Sequence, residues 1–128
     1  MQLGDALNWF EIPVSDFERG KKFYETIFDY QMPVNMMGNV QMGFFLHDFE
    51  NKKIGGAICK SEMHKSSKNG CLIYLNCQPD LQPVLERVEN AGGNIIKPKS
   101  KISEIQNLGF WALITDSEGN NVALHSMA

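Results

Sequence analysis

The side chains of this sequence that titrate near neutral pH or act as nucleophiles are three histidines and three cysteines. They are His47, His64, His125, Cys59, Cys71 and Cys77. His125, in an apolar run near the carboxyl end, could form a proton-transfer pair with the carboxylate of Glu11, because a neighbouring carboxylate raises the pKa of histidine. The same two residues could instead form a hydrogen bond that only satisfies buried polar groups. Both interpretations stay open at the level of sequence.

The remaining histidines and the cysteines are weaker candidates for chemistry. His47 precedes a polar run at residues 48–51, and His64 lies in a lysine-rich stretch, so we expect both imidazoles on the surface. The cysteines are odd in number and contain no CxxC pair. This pattern favours reduced packing residues over a disulfide framework or a zinc knuckle.

Composition limits the classes of protein to consider. The chain has 128 residues, of which 43% are hydrophobic and 21% charged, as expected for one globular domain. The net charge of −3 makes nucleic acid an unexpected partner. No stretch approaches the roughly 20 apolar residues that span a bilayer. The first nine residues contain no basic cluster followed by an apolar core, so the expected location is the cytoplasm.

An internal repeat organises the elements that must position these side chains. A strand-like apolar run at residues 7–14 precedes Asp16, and a similar run at 71–77 precedes Asp80, half of the chain further on. After each Asp the spacing predicts an amphipathic helix. The chain is therefore expected to contain two copies of one supersecondary unit rather than two independent domains.

The first predicted helix covers residues 16–28. Ser15 and Glu18 have the spacing of a capping box, and Phe23, Tyr24 and Ile27 fall on one apolar stripe. The second helix has its stripe at residues 81–91, with Pro83 in the first turn and Gly92 after the end.

Short strands are predicted after each helix, at residues 41–46, 54–59, 94–97, 109–115 and 121–126. The turn at 116–120 should join the last two strands in a hairpin. Residues 32–38 and 61–70 are predicted to be loops. Each half thus has the order βαβββ, with module one near residues 1–59, a link near 60–69 and module two near 70–128.

Several of these segments resemble a known superfamily. The sequence reads FEIPVSD at residues 10–16, FYE at 23–25, LERVENAGG at 85–93 and DSEGN at 116–120. These segments resemble the two modules of the vicinal oxygen chelate superfamily, which includes glyoxalase I, extradiol dioxygenases and bleomycin-resistance proteins. The resemblance implies an α+β fold in which two βαβββ modules form a curled mixed sheet around a cleft, with the helices outside. Asp29 departs from the usual Gly after the first helix, but Asp tolerates the left-handed conformation.

The resemblance also implies where a metal would be bound in the metalloenzymes of the superfamily. The family spacing places three of the four ligands at Trp9, Leu72 and Ala123, and the fourth in residues 54–58. None of these side chains offers the donor atoms that a divalent metal needs. No metal or other cofactor is therefore expected at the usual position, and both ligand binding and catalysis stay open.

Alternation along the strands extends the implied cleft to neighbouring residues. The residues expected to contact a ligand are Trp9, Leu72, Tyr74, Asn76 and Ala123, with Glu11 and His125 as candidate catalytic residues. The expected function is binding of a small organic molecule in a metal-free cleft. The alternatives are a lyase, isomerase or dioxygenase-type enzyme that uses the Glu11 and His125 pair or a displaced metal, and a member kept for assembly with another protein. The resemblance further implies a homodimer.

Three other patterns have two interpretations each. Met32, Met36, Met37 and Met42 could form an adaptable lid, but gap-filling in the core is favoured. The lysines at 97, 99 and 101 could attract an anion, although alternating lysines more often protect a strand edge. One of the neighbours Phe110 and Trp111 should face the cleft, and the register decides which.

Overall fold

The computed structural model describes Gln2 and residues 4–128, so the first and third residues of the predicted module one lie outside the described residues. The first half contains β1 (Trp9–Pro13), α1 (Phe17–Phe28), β2 (Val34–Met37), β3 (Val40–Phe44) and β4 (Gly55–Lys60). The second half contains β5 (Tyr74–Asn76), α2 (Gln82–Glu86), β6 (Asn94–Lys101), β7 (Phe110–Thr115) and β8 (Asn121–Ser126). The α+β fold and the repeated βαβββ order are therefore confirmed.

Both halves build the same sheet. The strand orders are β1-β4-β3-β2 and β5-β8-β7-β6, each with one parallel pair, β1 with β4 and β5 with β8. The other pairs are antiparallel, including the predicted hairpin of β7 and β8. The predicted mixed sheet is thus divided by its hydrogen bonds into two four-stranded sheets, with β1 and β5 at the edges.

The prediction of a loop at residues 32–38 was wrong for its centre. Val34–Met37 forms β2, which pairs with β3 through a tight turn in which Gly38 has a φ of 63°. All four side chains of this edge strand are exposed, so the strand lacks the alternation of apolar and polar residues that a half-buried strand shows. The methionines are divided by this arrangement: Met32 and Met42 are buried, whereas Met36 and Met37 are exposed.

The first helix follows its prediction except at the cap. Asp16 is the N-cap, and its Oδ1 accepts a hydrogen bond of 3.1 Å from the backbone N–H of Arg19. The Ser15 hydroxyl instead lies 2.8 Å from the Ser66 hydroxyl, so the predicted capping box does not form. Asp29 ends the helix with φ 53° and ψ 57°, the left-handed conformation expected for it.

The second helix is shorter than predicted. It ends at Glu86, and a series of turns continues the chain to Gly92. The backbone N–H of Arg87 bonds to the carbonyl oxygens of Leu85 and Val84. In a continuing α-helix it would bond to the carbonyl of the residue four positions earlier. Leu85 and Val88 nevertheless remain buried, so the predicted apolar stripe serves the core without a continuous helix.

One hydrophobic core extends across both halves. It joins one face of the first sheet, including Ile12 and Ile58, to α1 through Tyr24 and Ile27. The same cluster continues to residues of α2 and of the second sheet, among them Leu81, Leu85, Ile114 and Leu124. Among the described residues, the first half has in addition a small cluster of Met42, Ala57 and Cys59, but most of the buried apolar residues belong to the shared core, so the two copies are expected to fold together.

A second set of contacts joins the halves through polar groups. Glu118, in the turn between β7 and β8, accepts hydrogen bonds from the backbone N–H groups of Ser15 and Asp16 at 3.0 and 2.7 Å, and from Arg19 Nε at 2.6 Å. In the same turn Asp116 accepts a hydrogen bond of 2.6 Å from the hydroxyl of Tyr24. The end of module two is therefore fixed to the beginning of α1.

Among the described helices, none combines the length and apolar character needed to cross a membrane.

Candidate functional site

On the face of the first sheet opposite the main core, the cluster of buried side chains contains strand residues only among the residues that the structure describes, and we call this the helix-free face. Along β1 it presents Trp9 and Glu11, which register with Gly55 and Ala57 of β4. A small cluster of Met42, Ala57 and Cys59 packs on this face, apart from the main core. The ring of Trp9 lies 6.3 Å from that of Phe44. Aromatic and sulfur-containing side chains therefore surround the carboxylate of Glu11.

The second sheet has a corresponding helix-free face. Tyr74 registers with Ala123, and Asn76 with His125, which in turn registers with Trp111 of β7. The rings of Tyr74 and Trp111 are 6.2 Å apart. Of the two neighbouring aromatic residues in β7, Trp111 takes this face and Phe110 packs against the core.

The lysines predicted at a strand edge lie on β6, which is the edge strand of this sheet. Lys97 stands 5.8 Å from the centre of the Trp111 ring, and Lys99 forms a salt bridge of 2.8 Å with Asp80. The head groups of Lys97 and Lys99 thus have partners within the fold.

Glu11 is held by two hydrogen-bond donors and has a third polar group beside it. Its Oε1 accepts a hydrogen bond of 2.8 Å from His64 Nε2, and its Oε2 accepts one of 3.2 Å from Trp9 Nε1. The sulfur of Cys59 lies within 4.8 Å of the same carboxylate. The hydrogen bond from His64 lowers the pKa of Glu11 most, partial burial opposes it, and Trp9 and the neighbouring Cys59 thiol act in the same direction as His64. The pKa of Glu11 is therefore below its ordinary value.

The prediction that His64 is an exposed surface residue was wrong, since its side chain is only 13% exposed. The link between the modules folds back on β1, and Ser61 Oγ, 2.6 Å from His64 Nδ1, orients the ring toward Glu11. The two partners are 53 residues apart. No periodicity in the sequence relates positions that far apart, so sequence reasoning missed this pair.

His125 has a different partner from the one considered for it. Its Nε2 lies 2.8 Å from the carbonyl oxygen of Leu108, to which it donates. Glu11 and His125 belong to different sheets, and the imidazole at Glu11 is that of His64. Proton transfer by Glu11 or His125 stays a prediction.

A cavity of about 680 Å³ lies between the edge strands β1 and β5. Its walls are mainly aliphatic and aromatic, and they include Leu7, Phe10, Phe28, Phe45, Leu46 and Leu72. His47, Asp48 and Lys53, all from the loop between β3 and β4, supply polar groups. His47 is exposed as predicted, but its contribution to the wall of a cavity was not foreseen.

The residues predicted to contact a ligand are divided among several depressions. Leu72, Tyr74 and Asn76 line the cavity of about 680 Å³. Trp9 lines a neighbouring depression with Phe49, and Glu11 lines a pocket of about 190 Å³ beside the start of β8. Ala123 and His125 lie on the helix-free face of the second sheet. The arrangement therefore does not collect all seven residues around one space, and their roles in binding stay predictions.

The positions that hold a metal in metalloenzymes with this topology do not fit one here. The indole of Trp9 has a hydrogen-bond donor but no acceptor, and the side chains of Leu72 and Ala123 have no polar atom. The facing part of β4 consists of glycine, alanine and isoleucine. No reaction step through a metal at that position follows from these residues.

Comparison with known proteins agrees with this architecture. Residues 7–43 match a family described as bleomycin resistance protein-like N-terminal. No curated protein sequence matches the chain significantly. A glyoxalase/bleomycin resistance protein from Albidiferax ferrireducens is 16% identical, with a TM-score of 0.66 over 94% of this chain and 97% of that one.

Two further solved structures have the same fold. An integron cassette protein from V. cholerae is 16% identical, with a TM-score of 0.67. The match covers 100% of this chain and 99% of that protein. A mutant of glyoxalase I from Zea mays is 21% identical, with a TM-score of 0.69 over 93% of this chain, which corresponds to 45% of the maize protein. The fold is therefore shared with two-module glyoxalase-like proteins. The match of residues 7–43 agrees with the resemblance to the vicinal oxygen chelate superfamily noted in the sequence.

Proposed function

We propose that this protein binds a small, largely apolar organic molecule in the cavity between β1 and β5. The observation that carries the proposal is the cavity itself: its volume of about 680 Å³ falls within the range of ligand sites, roughly 300–1,000 Å³. Its aromatic and aliphatic walls favour apolar groups, because contact with them removes apolar surface from water. The polar groups of the loop between β3 and β4 would orient such a molecule.

The test uses a cavity variant with a matched control. Leu72 lines the cavity and is 42% exposed, whereas Leu108 lies elsewhere and is 44% exposed. Leu72→Arg places a charge against an apolar wall, so we expect it to weaken binding of the uncharged apolar dye Nile red at least about tenfold, equal to about 1.4 kcal/mol. Leu108→Arg should leave the affinity unchanged. Fluorescence titration measures both.

Two outcomes of this titration would contradict the proposal. One is unchanged affinity in Leu72→Arg, which would show that the dye binds outside the cavity. The other is an equal loss in Leu108→Arg, which would indicate binding to apolar surface in general. Circular dichroism of each variant checks that the fold is retained.

We also propose that the protein forms a homodimer. The edge strand β2 exposes Val34, Met36 and Met37, and the helix-free faces expose Trp9 and Tyr74. Edge strands and apolar patches of this kind are commonly covered by a partner. Sedimentation at micromolar concentration is expected to give twice the chain mass of 14.5 kDa. A single species of the monomer mass would count against the dimer.

We further propose that the protein is located in the cytoplasm. It is supported by the cysteines: Cys59, Cys71 and Cys77 are all free thiols, as is usual in a reducing compartment.

A further inference from the structure

Three potential metal ligands of different chemical types converge at the helix-free face of the first sheet. Three atoms lie within 4.8 Å of one another: a carboxylate oxygen of Glu11, the sulfur of Cys59 and a ring nitrogen of His64. Bond lengths of about 2.0–2.3 Å in tetrahedral zinc sites imply ligand atoms roughly 3.3–3.8 Å apart. Displacements of roughly 1 Å would therefore bring these three atoms to the separations that zinc requires.

The surroundings of the three residues resemble those of bound metals in two respects. The Nδ1 of His64 is occupied by the hydroxyl of Ser61 at 2.6 Å, which leaves Nε2 directed toward Glu11. Metal-binding histidines usually have such a partner on the second nitrogen. Cys59 is fully buried whereas Glu11 is on the exposed side, so a cation here would be reached from one direction.

We propose that Glu11, Cys59 and His64 bind a zinc-class divalent cation that keeps an open fourth coordination position. Thiolate and imidazole ligands favour zinc over magnesium or calcium, which prefer oxygen donors. This set is distinct from the family's usual positions, and it uses a residue of the link between the modules. The site is separate from the cavity between β1 and β5, so the two proposals can fail independently.

Binding of the cation changes where the protons of this cluster are held. The Nε2–H of His64 donates to Glu11, and the thiol of Cys59 lies beside the same carboxylate. On binding, the cation takes the place of the thiol proton, which is released to solvent. The single proton of neutral His64 moves from Nε2 to Nδ1, where it faces the Ser61 hydroxyl, so that Nε2 is free to bind the cation. No electron transfer and no other reactant is needed.

Cobalt provides a direct test on the full, metal-free chain. Titration with Co²⁺ is expected to saturate at one equivalent and to give a thiolate-to-cobalt charge-transfer absorption band, which Zn²⁺ then removes by displacement. Cys59→Ser should abolish the band, and His64→Gln and Glu11→Gln should each weaken Co²⁺ binding at least about tenfold. Cys71→Ser and His47→Gln are matched controls, with an exposed thiol and an exposed imidazole, and should bind as the unaltered protein does.

The alternative is that Glu11 and His64 only attach the link to β1 and that Cys59 only packs. Absence of a charge-transfer band in the unaltered protein, or its persistence in Cys59→Ser, would overturn the proposal in favour of that alternative. Loss of binding in Cys71→Ser would also overturn it. If Cys59→Ser proves unfolded by circular dichroism, Glu11→Gln decides, because unchanged Co²⁺ affinity in that variant equally excludes the site.

Discussion

Phe45→Ala is expected to lower the free energy of unfolding by about 3–4 kcal/mol, the usual loss for a large buried aromatic side chain. The ring of Phe45 is in contact with three other aromatic rings, its centre lying 5.1 Å from that of Tyr24, 5.5 Å from Phe10 and 6.3 Å from Phe28. Truncation would leave a void that these side chains fill only in part. Urea denaturation gives the change in free energy.

Phe49 offers a matched control for this substitution. It lies four residues further on in the same loop region and is 80% exposed, compared with 9% for Phe45. Phe49→Ala should change the free energy of unfolding by less than about 0.5 kcal/mol. A loss below about 1 kcal/mol for Phe45→Ala, or equal losses for the two variants, would contradict the packing described here.

The same substitution also affects the proposed binding site, because Phe45 forms part of the cavity wall. Removing its ring enlarges the cavity next to Phe10 and Phe28. We therefore expect the variant to bind bulkier apolar probes than the unaltered protein does. Binding is measured without urea, at a temperature at which the variant remains folded. Identical probe selectivity in both proteins would argue that ligands bind elsewhere.

Glu118→Ala is expected to cost about 3 kcal/mol, because it leaves buried donors without an acceptor. The Glu118 side chain is completely buried, and it accepts bonds from the backbone of Ser15 and Asp16, from Arg19 and from the hydroxyl of Ser117. Its partner Arg19 is more than half exposed, so most of the effect should come from the two backbone N–H groups rather than from the ion pair. Thermal and urea unfolding both measure it.

The pH dependence of stability separates the charge of Glu118 from its packing. Burial raises the pKa of Glu118, but hydrogen bonds from Arg19, Asp16 and Ser117 outweigh it, and the pKa lies below the ordinary 4.5. A carboxyl with a lowered pKa stabilises the fold above the unfolded-state value, and that contribution disappears as the pH falls through the folded-state pKa. Below about pH 4.5, Glu118→Ala should therefore lose stability less steeply than the unaltered protein.

Glu104→Ala is the control, since Glu104 is exposed. It should retain both the stability and the acid dependence of the unaltered protein. Parallel acid unfolding curves for Glu118→Ala and the unaltered chain would show that Glu118 does not contribute through its charge.

Short-range patterns were sufficient to predict most of the elements of this protein. The apolar stripe of α1 places Phe23, Tyr24 and Ile27 on one face, and all three are completely buried. The turn at residues 116–120 joins β7 to β8 as predicted. The left-handed conformation of Asp29 also follows from residue type. Each of these features depends on neighbours within a few positions, where side-chain periodicity and backbone sterics act directly.

Most of the remaining features depend on contacts between residues that are far apart in the sequence. β2 was missed because an exposed edge strand depends on pairing with β3 and has no buried face to reveal it. The candidate sites were likewise beyond sequence patterns. His64 meets Glu11 across 53 residues, and Phe10 from β1, Phe45 from the loop after β3 and Leu72 before β5 line one cavity.

The sequence by itself therefore determined the first helix, the position of the second, most strands and their repeated order, since local propensities and periodicities encode them. Only the tertiary structure decided which imidazole reaches Glu11, which loop forms the wall of the cavity and which carboxylate joins the two modules. The physical reason is that hydrogen bonds and burial act over a few ångströms in space. Positions such as Ser15 and Glu118, 103 residues apart, come within that range only after both sheets have packed against the common core.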